Sequence, residues 1–171
     1  MNISARPAVS GDIPEILRLY RLLSAEMAAL GAVFVVMLLG RRLAGDRAGR
    51  WSGLVLITSP HFVYQHCGRT GEMDSTLILL WCTSVFFVLK SEEDRRWLWA
   101  AGVCLGLVGI TKHVVYMVPA ALVAALPLLA ARRWPGWKWV LCTLGIATVV
   151  AAPWYAIQLA RYGAVFVDQY L

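Results

Sequence analysis

Sixty per cent of the 171 residues are hydrophobic and only 15% are charged, well below the roughly 25% charged residues of a soluble globular domain. The apolar residues fall in blocks separated by compact charged clusters, which excludes a soluble domain and reads as a set of membrane spans. The net charge of +6 is spread over those clusters instead of forming one tract, so no nucleic-acid partner is expected.

In chain order, residues 1–21 contain Pro7, Gly11, Pro14, Arg18 and Arg21 and read as the end of an extracytoplasmic loop. Apolar spans follow at about 22–40, 51–66, 73–89, 97–111, 114–131 and 139–158. Residues 22–158 are therefore expected to form one all-α, polytopic bundle of about six transmembrane helices, with 159–171 opening the next extracytoplasmic segment. The lipid bilayer is the first partner this composition implies. Trp51, Trp97, Trp99, Trp134, Trp137 and Trp139 flank the blocks, where an indole can rest at the headgroup level. Cys67, Cys82, Cys104 and Cys142 fall in separate blocks without metal-ligand or redox spacing, and read as small buried residues. No metal site and no cofactor are expected.

The five connections and the C-terminal stretch carry four, one, three, one, three and one Lys or Arg residues in turn. By the positive-inside rule the connections 41–50, 90–96 and 132–138 are cytoplasmic, and Arg69, Lys112 and both chain ends lie outside. Such an N-terminus, with no leader before it, suits the middle of a larger bundle whose first helix precedes Met1.

Two outer turns stand out. The span 97–111 is about 22 Å long at 1.5 Å per residue, against a hydrocarbon core of about 30 Å, so Lys112 and His113 should be recessed. The span before Arg69, Glu72 and Asp74 is also short and contains Pro60, so that turn should dip on the same side. Charges drawn into a membrane cost about 2.5–3.5 kcal/mol each and usually face a cavity or a partner. The functional reading is a pocket lined by Arg69, Glu72, Asp74, Lys112 and His113. The plainer reading is that Arg69 neutralises Glu72 or Asp74, Lys112 snorkels, and His113 is an interfacial polar residue. His61 and His66 lie on an apolar stretch without an acidic partner and read as internal hydrogen-bonding groups. Glu26, near the outer end of the first span, could be met by Arg21 or water. The inner clusters meet the needs of orientation and helix capping.

The order Leu-Leu-Gly-Arg-Arg-Leu-Ala-Gly (38–45), Thr-Ser-Pro (58–60), Arg-Thr-Gly-Glu-Met-Asp (69–74), Gly-Leu-Val-Gly-Ile-Thr-Lys (106–112) and Ala-Pro-Trp-Tyr (152–155) resembles the bacterial polyprenyl-phosphate-dependent glycosyltransferases of the protein O-mannosyltransferase and aminoarabinose transferase superfamily. The resemblance covers about residues 16–160 and implies part of a GT-C fold in a bacterial inner membrane. It also implies sugar transfer from a polyprenyl-phosphate donor to a lipid, protein or glycan acceptor on the outer face. Arg69, Glu72 and Asp74 match the family's Arg/acid turn, and Thr111 and Lys112 its Thr-Lys turn. The family's catalytic carboxylate follows its first helix, so it is expected upstream of residue 1; Asp12 and Glu15 do not reproduce its motif. This stretch alone is accordingly expected to be inactive. Two other classes fit the charged turns: a transporter or permease half, although 22–89 and 97–158 show no internal correspondence, and a non-catalytic membrane subunit.

Overall fold

The structure is a computed structural model that describes residues 13–60, 62, 74–111, 118, 126 and 135–170. Among these the regular structure is helical, with no strand: α1 (Ile13–Thr58), α2 (Asp74–Lys90), α3 (Trp97–Thr111), α4 (Trp137–Tyr162) and α5 (Ala164–Tyr170). The expected spans 73–89, 97–111 and 139–158 correspond to α2, α3 and α4, and the expected span 114–131 lies outside the described residues apart from Val118 and Leu126. Two of these helices, α1 and α4, are long and apolar enough to cross a membrane, while α3 is apolar but shorter.

The first two expected spans share α1, which is not one straight rod. Ala44 is non-helical and Gly45 takes φ of +87°, a left-handed value that a glycine adopts without steric cost. The chain reverses there. The 46–58 arm runs back along the 13–43 arm, with Gly49 against the Met37 carbonyl, Gly53 against the Met37 side chain, and the Ser52 hydroxyl donating to the Val36 carbonyl at 3.1 Å. Arg41 Nε meets Asp46 Oδ1 at 2.6 Å across the bend.

Neighbouring helices are placed by two sets of contacts. Val88 packs with Leu98 and Ala101, whereas Leu77 packs with Leu105, Val108 and Ala147, so α2 and α3 are antiparallel. Gly102 faces the Thr143 carbonyl and Gly106 the Ala147 carbonyl, so α3 and α4 run parallel with an offset of 41 residues. The chain thus leaves α3 at one end of the bundle and begins α4 at the other.

The connections 41–50 and 90–96 and the start of α4 gather at one end. Arg42 Nη1 bonds Glu93 Oε1 at 2.6 Å and its Nη2 donates to the Leu89 carbonyl. Trp139 packs on the Val88, Leu98 and Ala101 cluster. Lys90 Nζ sits 4.1 Å from the Trp97 ring centre, and Trp97 stacks on Phe87. Asp94 accepts the Arg96 backbone N–H at 2.9 Å ahead of α3, the capping role its cluster suggested.

In α1 the buried residues are small and the large ones face outward. Ala25, Ala28, Ala29, Ala32, Gly49 and Gly53 are the buried residues of α1, while Leu19, Leu23, Met27, Leu30 and Phe34 of the same helix are exposed. Such an inversion suits lipid, where helices associate by close contact of small residues because lipid tails are as apolar as leucine. Of the cysteines, Cys104 is buried, Cys82 half-buried and Cys142 exposed, so the last departs from the reading as a buried residue.

A tight backbone-to-backbone seam is formed by the Gly-x-x-x-Gly of α3. A Cβ on Gly106 would come 2.6 Å from the Ala147 carbonyl oxygen and 2.7 Å from Val150, and neither a backbone nor a β-branched Cβ can step aside. Gly106→Leu is expected to destabilise the protein by about 1–3 kcal/mol, read as a lower thermal midpoint in detergent. Gly145→Leu, which has open space around it, should leave the midpoint nearly unchanged.

Candidate functional site

The end opposite the arginines is built by the start of α2, the end of α3 and the last third of α4. The Leu77, Leu105 and Val108 contacts bring Asp74 level with Thr111 to within about one helical turn. The α3–α4 register sets Thr111 level with Ala152 of α4, and α4 continues ten residues beyond that level to Tyr162, roughly 15 Å at 1.5 Å per residue. The residues just before Asp74 and just after Thr111 in the chain lie outside the described ones.

Aromatic side chains cluster on α4 and α5 just beyond this level. The Tyr155 hydroxyl donates to the Gly109 carbonyl at 2.7 Å, reaching back toward the start of its own helix as long helical side chains do. Trp154 meets Tyr155 edge-on with ring centres 4.9 Å apart, and Phe166 packs on both. Phe166 gets there because Gly163, at φ of +54° with its N–H on the Leu159 carbonyl, ends α4 and turns the chain into α5. The local cause of this cluster is Pro153 and Gly163: one cannot donate within the helix and the other can leave it.

Asp74 opens α2, where a carboxylate is favoured by the helix dipole, and it has a partner of its own. The adjacent Ser75 is fully buried, and its Oγ is the buried side-chain polar atom left without a hydrogen bond among the described residues. Other hydroxyls in the bundle are met by carbonyls three or four residues before them: Thr83 by Leu79, Ser84 by Trp81, Ser91 by Val88, Thr143 by Trp139. For Ser75 the carbonyls three and four residues back belong to Glu72 and Gly71, which lie outside the described residues. Thr111 differs, its hydroxyl donating to the Leu107 carbonyl at 2.7 Å.

Of the expected site residues, Asp74 lies at the end away from the arginines, in the first turn of α2. Arg69, Glu72, Lys112 and His113 lie outside the described residues, as do His61 and His66. Glu26 is exposed on α1, among exposed leucines. Among the described residues no three His, Cys, Asp or Glu side chains converge to hold a metal ion. Ser75 was not foreseen, because a single serine in an apolar run carries no pattern.

Residues 18–157 match the dolichyl-phosphate-mannose-protein mannosyltransferase family. No curated protein and no solved structure matches the chain.

A buried hydroxyl without a partner opposes folding, so Ser75→Ala is expected to raise stability by about 0.5–1.5 kcal/mol. The check is the thermal midpoint in detergent; a drop of several degrees would show that Ser75 Oγ serves the fold.

Proposed function

The chain belongs to the dolichyl-phosphate-mannose-protein mannosyltransferase family, and on that footing we propose that it is the transmembrane core of an enzyme that moves a sugar from a polyprenyl-phosphate donor to an acceptor at the outer face of the membrane. The family match makes it a membrane glycosyltransferase of mannosyltransferase type; donor, acceptor class and face of the membrane are the proposal. Residues 22–158 would be the core of a six-span portion of a GT-C bundle in a bacterial inner membrane, with the connections 41–50, 90–96 and 132–138 cytoplasmic. The acceptor would be a lipid, a protein or a glycan.

The observation that carries this reading is the match of residues 18–157 to that family; at the end away from the arginines, Asp74 lies in the first turn of α2 beside the buried Ser75 hydroxyl, which has no hydrogen bond among the described residues. Breaking a glycosyl phosphate bond develops negative charge on the departing phosphate. Hydrogen-bond donors and a cation held in a low-dielectric recess stabilise that charge best. The first-turn N–H groups of α2 and the Ser75 hydroxyl would offer the donors, and Lys112 or Arg69 the cation. Glu72 and Asp74 would orient those cations, and His113 would contact the sugar or acceptor. The acceptor's proton needs a carboxylate base, assigned to the family's acidic motif that precedes this stretch.

The test is sugar transfer by membranes holding the protein expressed from its complete reading frame, with radiolabelled polyprenyl-phosphate mannose as donor. Label is expected in a lipid, protein or glycan fraction. Lys112→Ala should reduce transfer by about 10²-fold or more and Asp74→Asn by at least about tenfold, with insertion and thermal midpoint unchanged. Normal transfer in both variants would remove these residues from the site. Inward or outward flux of a solute without any transfer would favour the permease reading.

A further inference from the structure

A second feature lies at the opposite, arginine-rich end and has no part in the chemistry proposed above. The two arms of α1 flank an open cavity of about 410 Å³ beside the bend, within the roughly 300–1,000 Å³ of small-molecule sites. Its lining changes character along its length. Phe34, Met37 and Leu38 form the part away from the bend, and Arg41, Asp46 and Arg50 the part beside it.

The spacing makes this a stripe. Phe34, Leu38 and Arg41 stand at i, i+4 and i+7 on one helix face, covering about 10 Å along the axis. Gly49, which also lines the cavity, lets the second arm lie against the Met37 carbonyl. An apolar slot is thereby closed on one side and left open on another, where Phe34 is exposed.

The charges divide unequally between neighbours. Arg42 turns away from the cavity and is engaged by Glu93 and the Leu89 carbonyl. Arg41 uses its Nε on Asp46 at 2.6 Å, which leaves its terminal nitrogens to donate elsewhere. Among the described residues no ion pair involves Arg50. Two arginines and one aspartate give the mouth a net charge of +1.

We propose that this cavity binds one anionic glycerophospholipid of the surrounding membrane, its phosphodiester on Arg41 and Arg50 and an acyl chain along Phe34, Met37 and Leu38. A phosphodiester carries one negative charge, matching the mouth, and a guanidinium presents paired donors to its oxygens. The direction also matches: in a bilayer the phosphate lies at the interface, where this arginine-rich end must sit, and the chain runs inward, as the apolar stripe does. Basic pockets between membrane helices bind anionic headgroups on this principle. The site does not depend on which leaflet the arginine end faces.

The test is native mass spectrometry of the purified protein in detergent, titrated with phosphatidylglycerol and with phosphatidylcholine of the same acyl chains. A one-to-one phosphatidylglycerol adduct is expected at roughly tenfold lower concentration than the phosphatidylcholine adduct. The preference should fall by about five-fold in Arg50→Gln, which breaks no ion pair, and disappear in Arg41→Gln/Arg50→Gln. Arg95→Gln/Arg96→Gln removes the same charge from the neighbouring connection and should keep the preference. Leu38→Trp should fill the slot and weaken both lipids. Equal retention of the two lipids, an equal loss in the Arg95/Arg96 variant, or a preference that survives Arg41→Gln/Arg50→Gln would overturn the proposal. So would glycerol 3-phosphate competing as well as the intact lipid, which would make it a free-phosphate site, or a protein dimer forming in place of the adduct.

Discussion

The approach of α3 to α4 is the constraint from which most of the arrangement follows. Gly102 and Gly106 stand directly against the carbonyl oxygens of Thr143 and Ala147, so two backbones touch with no side chain between them. In a bilayer no water is released when apolar faces meet, and such close contact is the main attraction available to helices. It also fixes register, because a shift of one residue would put the bulk of Leu105 or Leu107 where a glycine must be. From that register the parallel course of α3 and α4 follows, with Thr111 level with Ala152. Asp74 is placed near the same level indirectly, through the Leu77, Leu105 and Val108 contacts.

The arginine-rich end works on different physics. Arg42 and Glu93 tie the first and third connections together, yet Glu93 is more than half exposed, and pairs of this kind contribute only about 0.2–1 kcal/mol. They set which loops adjoin more than they hold the bundle. Lys90 over Trp97, itself stacked on Phe87, anchors the turn at the level where an indole and an ammonium are both comfortable. The positive-inside count treats these arginines as one class, but the fold separates them: Arg42 is committed to protein partners, while Arg41 and Arg50 face the cavity of α1.

Hydropathy located the helices better than it located their ends. The span 97–111 matches α3 at both limits, because Asp94 caps one end and the apolar block stops at the other. The first helix instead begins at Ile13, nine residues before the expected span. Glu15, Arg18, Arg21 and Glu26 lower hydropathy there, but they are good helix formers, and a helix does not stop where the membrane does. For the same reason the ten-residue connection 41–50 is mostly helical and only Ala44 and Gly45 depart from it. Of the candidate site, Asp74 was expected because a charge beside a short span is anomalous, and it is the one of the expected site residues that the structure describes. Ser75 and the cavity of α1 were not expected: the first depends on position within a helical turn, the second on two arms meeting across Gly49, and neither leaves a mark in a linear pattern.

A difference between the two ends bears on where chemistry can occur. At the arginine end each hydroxyl and most charges are answered locally, as with Ser91 on the Val88 carbonyl and Arg42 on Glu93. Among the described residues the pattern breaks at one atom, at the opposite end: Ser75 Oγ, which is buried without a hydrogen-bond partner. Burying such a group costs about 1–3 kcal/mol, a penalty most of the fold avoids. Alanine would fill the same place without it and would favour the helix. Violations of this kind concentrate where a protein has a use for an unsatisfied donor. The start of α2 sets a carboxylate, Asp74, next to that unused donor, which is the pairing such a use would draw on.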